Sequence, residues 1–486
     1  MQPFDRTDSP VSTPSRRRFL QGSALAGAGI LTSPLILAAE SPNPGPVKVA
    51  TPTAAAATAA ATTANSKINV ALVGAGGQGR SDMKGLLATH QRIVAICDLD
   101  EAQIAAAHDR GDNAVGARHY ADYRRLLDDA KSFDAVIIAT PDHWHAPLCK
   151  AFIKAGKHVY CEKPLTRTLA EARELRELVR VNPKVVTQLG NQGSADSTLR
   201  RSVELIRAGA LGQIREVHAW LGNSGPGADR PVGEDPIPGG FHWDFWCGPS
   251  PYRPFKAGMY HPFNWRNWFD FGGGPLADFT CHIFNTALRA LDLTYATRIE
   301  VAGEELAKES YARSTHLQMH FPARRQRDSE RELDPVIVHW HDGGRRPDDT
   351  LLKEVLALQP KPPEHGCLFI GEKGIIFTNP WNSAALIKLN DDPTFVDINS
   401  HEPTKAIPIT LPRNVSHMQE WVNAIKGMGR TSSDFDFGGH LTEIGLAGVL
   451  AIRLGHEIQW DGAGLKANDP RADQIITPHY RRAWML

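Results

Sequence analysis

The chain has 486 residues, 54 Lys+Arg against 54 Asp+Glu, a formal net charge of zero and a pI near 7.3. That balance argues against a strongly basic nucleic-acid binder and against a polybasic membrane-surface protein. With 42% hydrophobic and 22% charged residues the chain can build a sizeable core, which excludes wholesale disorder and a polytopic membrane protein.

The first 66 residues read as lying outside the fold. Ser15-Arg16-Arg17-Arg18-Phe19-Leu20 precedes a small, apolar stretch from Gly22 to Ala39. A basic segment, a modest apolar segment and small residues at its end describe an export signal, and the paired arginines before Phe-Leu give it the twin-arginine character. Ala38-Ala39 is a candidate cleavage point, although Leu37 stands where a small residue is preferred. Gly, Ala and Ser dominate the stretch and Pro34 interrupts it, so no stable membrane anchor is expected. Residues 40–66 are rich in Ala, Thr and Pro and read as a disordered linker. Residues 1–39 are thus assigned to the signal, 67–190 to a first domain and 191–486 to a second.

From residue 67 strands and helices alternate. Ile68–Val73, Ile93–Cys97, Ala135–Ala139, Lys157–Cys161 and Val185–Leu189 are short apolar runs of the kind that form buried parallel strands. Helical stretches run from the glycine-rich turn to about Ala88, from Glu101 to about Arg110, from about Ala146 to Ala155 and from Leu169 to Val181. This order predicts a doubly wound parallel sheet. After about residue 190, strand-like alternation recurs at Arg215–Trp220, His316–Phe321, Val336–His341 and Gly366–Phe377. Helices follow at about Ser416–Ile425 and Leu441–Gly455. An α+β domain with a large, mainly antiparallel sheet is expected there. The six cysteines form no Cys-x-x-Cys pair, and Cys97 and Cys161, at the ends of apolar runs, read as buried thiols.

Gly74-Ala75-Gly76-Gly77-Gln78-Gly79 lies directly after the first strand and opens a helix. Asp98, nineteen residues beyond Gly79, ends the second strand. In that context the glycines make a dinucleotide-binding turn. Gly74 permits the sharp turn, Gly76 lets backbone approach a pyrophosphate, and Gly79 lets helix and strand pack closely. The helix N-terminus supplies N–H donors to the phosphates. Asp98 would accept from the ribose hydroxyls and repel a 2′-phosphate, favouring NAD; Arg80 keeps NADP open.

Cys161-Glu162-Lys163-Pro164, the glycine turn and Ala139-Thr140-Pro141-Asp142-His143-Trp144-His145 together resemble the Gfo/Idh/MocA oxidoreductase family over roughly residues 67–486. The resemblance is most specific at Gly74–Gly79, at Glu162-Lys163-Pro164 and at Gly272–His282. It implies an NAD-binding Rossmann domain, a C-terminal domain whose sheet faces the nicotinamide, and a hydroxyl substrate of the sugar or polyol kind. It also implies that Lys163 reaches between nicotinamide and substrate, and that the chain forms a homo-oligomer.

Asp278 and His282 are four apart, on one face if the segment is helical. A histidine can accept the hydroxyl proton as hydride leaves carbon, and Asp278 would orient it or bind substrate. Where the family often carries an acid three residues further on, this chain has Asn285. Thr140, Pro141, Glu162 and Asn191 are expected at the cofactor, with Gln192 beside Asn191. His145 either joins them or caps its helix. Tyr260, Trp265 and Arg266 are candidates for substrate contact, because indole faces stack on pyranose C–H faces and guanidinium binds hydroxyls or carboxylates. A loop-rich aromatic core explains the same residues equally well. The 20 histidines form no His-Glu-x-x-His or other compact zinc signature, so no catalytic metal is expected.

An exported protein needs a tightly held cofactor that is regenerated in place. Two chemistries meet that need. One oxidises a sugar hydroxyl and then reduces a second carbonyl compound, as in exported relatives resembling glucose–fructose oxidoreductase. The other is redox-neutral and passes through a transient keto-sugar, as in NAD-dependent glycosidases, lyases or epimerases. A non-catalytic sugar-binding protein is a third reading, against which Lys163 and His282 both count.

Overall fold

The computed structural model describes residues 67–108, 116–327, 329–357, 363–413 and 415–484. The export signal, the linker and the expected end of the second helix at Arg110 lie outside them. The first part of the chain runs β1 (Asn69–Val73), α1 (Gly77–Ala88), β2 (Arg92–Cys97), α2 (Glu101–His108), β3 (Arg118–Tyr120), α3 (Tyr123–Asp128), β4 (Ala135–Ile138), α4 (Asp142–Lys154), β5 (His158–Glu162), α5 (Leu169–Val181) and β6 (Thr187–Gly190). The six strands pair in parallel in the order β3-β2-β1-β4-β5-β6, the doubly wound sheet expected. Val70, Leu72, Val136 and Ile138 are buried, as strands covered on both faces require. α5 starts on a capping box, Thr168 with Glu171, which fixes its first residue where the sequence pattern put it.

Next come α6 (Ser197–Arg207), β7 (Ile214–Trp220), α7 (Trp243–Cys247), α8 (Gly274–Ile283), α9 (Asn285–Leu291), β8 (Arg298–Gly303), β9 (Thr315–Phe321), β10 (Arg324–Arg325), β11 (Glu332–Leu333), β12 (Val336–His341) and α10 (Asp349–Leu356). The chain closes with β13 (Gly366–Gly371), β14 (Gly374–Thr378), β15 (Ala385–Leu389), β16 (Val396–Asp397), α11 (His417–Ile425), α12 (Phe435–Leu454), β17 (Ile458–Asp461), β18 (Lys466–Ala467) and α13 (Ala472–Ile476). A ten-stranded sheet has the order β16-β15-β14-β13-β7-β12-β9-β8-β17-β18. Every neighbouring pair in it is antiparallel except β7 with β12.

Side chains alternate across these strands. Val217, Leu317, Met319, Val338 and Trp340 turn one face into a core shared with α8, α9 and α12. Trp220 and Leu368 on the other face pack with Leu352 and Val355 of α10.

The last helices return to the first domain. Met418, Trp421 and Val422 of α11 join Val70, Leu72 and Ile96 in one buried cluster. His417 Nε2 lies 2.7 Å from the Leu189 carbonyl. Glu443 of α12 receives Arg173 and Arg176 from α5 at 3.0 and 2.7 Å. The sequence division near residue 190 therefore marks a change of pattern, while the first domain's core is completed by residues more than two hundred positions later.

Three local differences have simple causes. α4 begins at Asp142, ahead of the expected Ala146, because His143, Trp144 and His145 hide a first helical turn. The run Gly366–Phe377 is a hairpin that turns at Glu372-Lys373. α6 escaped notice because Arg200, Arg201 and Glu204 interrupt its apolar spacing; all three are buried, with Arg200 paired to Glu420 and Glu204 to Arg413. All six cysteines are buried free thiols. Among the described residues no helix is long and apolar enough to cross a membrane.

Candidate active site

The site forms at the C-terminal ends of the parallel strands, where open α/β sheets bind ligands. Gly74 leaves β1 with φ +90°, and a side chain there would meet the Ala139 carbonyl oxygen at 2.6 Å. A Cβ on Gly79 would run into the Gly74 carbonyl oxygen, so these two glycines are required by packing alone. Gly76 has only the flexible end of Gln103 nearby and Gly77, at φ +38°, has nothing within 4 Å, which leaves the turn open to a ligand. Gln78 is exposed at the start of α1 and donates to Asp82 at 3.0 Å.

Asp98 stands at the end of β2. Its carboxylate accepts the Ala75 amide at 2.6 Å and the Asp100 amide at 3.0 Å, so it also braces the glycine turn. Burial pushes its pKa up and these two amides pull it back. Thr140 and Pro141 follow β4, with the Thr140 hydroxyl buried and unpartnered. Asn191 follows β6; its amide donates to the Cys281 carbonyl at 3.3 Å, and its Oδ1 is buried without a partner. The open glycine turn, the α1 N-terminus, and the unpaired Thr140 and Asn191 atoms together fit a dinucleotide.

Two expected cofactor contacts turn out to be structural. His145 neither caps α4 nor faces the pocket. It is buried, with Nδ1 2.8 Å from the Pro164 carbonyl and Nε2 2.8 Å from the Thr140 carbonyl, pinning the turn after β5 to the turn after β4. The helix cap is Pro141, without a side-chain bond. Glu162 is also buried. Its carboxyl takes the Gln192 amide at 2.8 Å and lies against Asp82, and burial raises the pKa of both acids.

Lys163, just past β5, reaches α8. Its Nζ donates to Asp278 Oδ1 at 2.6 Å and to the Asp278 carbonyl at 2.9 Å, which leaves one N–H for a ligand. Arg266 Nε approaches the same Oδ1 at 3.3 Å while its guanidinium lies 4.2 Å from the Trp265 ring and 4.5 Å from Phe263. Burial alone would raise the Asp278 pKa, but Lys163 and Arg266 outweigh it and hold the carboxyl at about 2. Asp278 therefore serves Lys163 and does not hydrogen-bond His282.

His282 follows one helical turn on, because α8 carries both residues. Its ring is buried, and neither ring nitrogen is hydrogen-bonded among the described residues. Desolvation first, then the Lys163 charge, push its pKa well below the usual range, so the imidazole is neutral.

The aromatic expectation is corrected. Tyr260 is 2% exposed, with Trp243, Trp268 and Phe271 within 5.8 Å of its ring, and Trp265 is buried in the same cluster. These rings form a loop core, and of the three only Arg266 reaches the site. The aromatic at the site is Trp381, between β14 and β15. It is 47% exposed and its ring centre lies 4.6 Å from that of His282 and 5.7 Å from that of Phe279. Its neighbour Asn382 donates to the His282 carbonyl at 2.8 Å. A lone Trp in a Thr-Asn-Pro-Trp-Asn turn carried no periodic signal; only the strand pairing of β14 and β15 brings it here.

A glycine turn at the head of a doubly wound parallel sheet, with a lysine, an aspartate and a histidine converging where a large mixed sheet and its helices follow, defines a Rossmann-type fold joined to an α+β domain. Comparisons agree. Residues 68–189 match the NAD-binding Rossmann fold of the Gfo/Idh/MocA oxidoreductase family, and residues 220–322 match that family's C-terminal alpha/beta domain. Two models of one family thus match successive parts of the chain. The chain is 32% identical over 153 residues to an inositol 2-dehydrogenase of Salmonella typhimurium, covering 31% of this chain and 45% of that one. It is 27% identical over 206 residues to a glycosyl hydrolase family 109 protein of a Shewanella species, covering 41% of this chain and 44% of that one. The chain thus spans less than half the length of these curated relatives. The fold of an Azotobacter vinelandii inositol dehydrogenase homologue, solved with NADH and myo-inositol, matches over 82% of this chain and 98% of that one, with TM-score 0.56 and 17% identity.

Proposed function

We propose that this protein is an NAD(P)-dependent oxidoreductase acting on a hydroxyl group of a sugar, polyol or sugar derivative, with a tightly held cofactor. The observation that carries the reading is the Lys163 ammonium, fixed by Asp278 with one N–H to spare, beside a neutral buried His282. Gly74, Gly76, Gly77, Gln78, Gly79, Asp98, Thr140, Pro141 and Asn191 would hold the dinucleotide, and Asp98 favours NAD. When bound, the dinucleotide supplies a hydride acceptor. The chain's own part is to hold the substrate oxygen and manage its proton. Lys163 donates to that oxygen and stabilises alkoxide character. His282, neutral at physiological pH, accepts the hydroxyl proton. Trp381 offers an apolar face to a sugar ring, and Arg266 reaches its hydroxyls.

A redox-neutral reading, glycoside cleavage through a transient keto-sugar, is favoured by the similarity to the family 109 glycosyl hydrolase. We further propose export by the twin-arginine route, supported by Arg16-Arg17-Arg18-Phe19-Leu20 and the small apolar stretch behind it.

Denaturing the purified protein and assaying the supernatant for NAD(H) tests the cofactor; the expected yield is one dinucleotide per chain, and none released with none bound on addition refutes the reading. Incubation with sugars, inositols and aryl glycosides then separates the chemistries. Cofactor reduction that stalls without a carbonyl acceptor identifies the oxidoreductase. Aglycone release without net NADH identifies the glycosidase.

A further inference from the structure

Four histidines lie side by side on the sheet face that turns away from α8. The register of β7, β12 and β9 sets His218 against His339 and His341 against His316. The first pair of rings stacks at 4.1 Å and the second at 4.4 Å. His218 and His341 are buried and His339 is half-buried. His218 Nδ1, His339 Nε2, His341 Nε2 and His316 Nε2 are all buried without a hydrogen-bond partner. An unsatisfied buried polar group costs about 1–3 kcal/mol, so four on one patch need a reason that sheet packing does not supply.

We propose that His218, His339 and His341 form a site for a borderline divalent transition metal, Zn²⁺ above all, clipped across the one parallel strand pair of the sheet. Their ligating atoms all lie within 4.8 Å of one another. Three imidazole nitrogens and a water complete a tetrahedral zinc shell. Glu216 Oε2 lies 2.8 Å from His218 Nε2, which fixes the proton there and leaves Nδ1 for the metal, the carboxylate–histidine–metal arrangement. Zn–N bonds of about 2.0–2.1 Å draw the nitrogens together, so the rings must tilt out of their present stacks. The site is non-catalytic: Trp340, between His339 and His341, packs on Phe284 on the opposite face, the face that carries α8.

The test uses the full chain, purified without a histidine tag, stripped with EDTA and titrated with Zn²⁺. One equivalent bound with a Kd below about 1 μM is expected, and Co²⁺ should give the intense visible bands of a four-coordinate ion. Replacing both outer ligands, His339→Gln with His341→Gln, should weaken binding at least 100-fold. Glu216→Gln should weaken it by about 10- to 100-fold. Unchanged dinucleotide content in each variant certifies the fold. No stoichiometric binding by the unaltered chain, a six-coordinate Co²⁺ spectrum, or binding weakened less than tenfold in the double variant each overturns the proposal.

Discussion

At Lys163 the chemistry depends on what holds the ammonium. Two of its three N–H groups are committed to Asp278, so the third has a fixed direction. Lys163→Ala should lower turnover by at least about 100-fold, in the range for losing a transition-state donor, while the dinucleotide stays bound; retained turnover in a steady-state assay refutes the role. His282→Ala should do the same. The pair also has a pH signature. Asp278 has a folded pKa of about 2 against an ordinary 3.8, so its ionised form is favoured by folding. That stabilisation is fully present above 3.8 and disappears as pH falls through about 2. The difference in unfolding free energy between the unaltered chain and Asp278→Asn should therefore narrow across that interval in denaturant titrations. At Trp381, removal of the indole should raise KM for the sugar about 2- to 12-fold, matching about 0.5–1.5 kcal/mol of ring stacking. kcat should change little; an unchanged KM denies the ring a place in the site.

At the scale of elements, the contact between α5 and α12 decides how the two halves are joined. Glu443 is 1% exposed and takes both Arg173 and Arg176, with Tyr295 donating to it at 2.9 Å. Burial would raise its pKa, yet His440 and the two arginines bring it to about 2. Removing one member of a buried ionic cluster leaves the others desolvated and unpaired, at a cost of about 3–5 kcal/mol. Glu443→Gln should lose that much in urea-induced unfolding, whereas loss below about 1 kcal/mol would mean that water reaches the arginines. His145 works on a smaller scale in the same way, tying two turns that carry the site.

For the whole molecule, the readable and the unreadable parts separate by sequence distance. The glycine turn, Asp98 and Lys163 were legible because each sits at a strand end within a few residues of the pattern that defines it. The Rossmann sheet followed from strands and helices in alternation, and the placing of Asp278 and His282 on one helix followed from a spacing of four, although Asp278 bonds Lys163 instead of His282. Long-range partners were not legible. Lys163 finds Asp278 across 115 residues and Arg173 finds Glu443 across 270. Trp381 reaches His282, and the histidines of β7 and β12 reach one another, only through strand pairing, which no linear motif records. Tyr260 and Trp265 misled for the complementary reason: a dense aromatic segment looks alike whether it lines a sugar site or fills a core, and only burial separates the two.

The return of α11 to the first domain also sets a timetable. Trp421 and Val422 close a core that begins at Val70, so the N-terminal half leaves the ribosome with that surface uncovered. Roughly 230 more residues must be translated before α11 exists, about 10–50 s at ordinary elongation rates. During that wait the nascent sheet exposes the apolar surface that α11 later covers. A chain that stops short of residue 417 should therefore leave that apolar surface open and aggregate more readily on refolding than the full chain, which light scattering of the two would show.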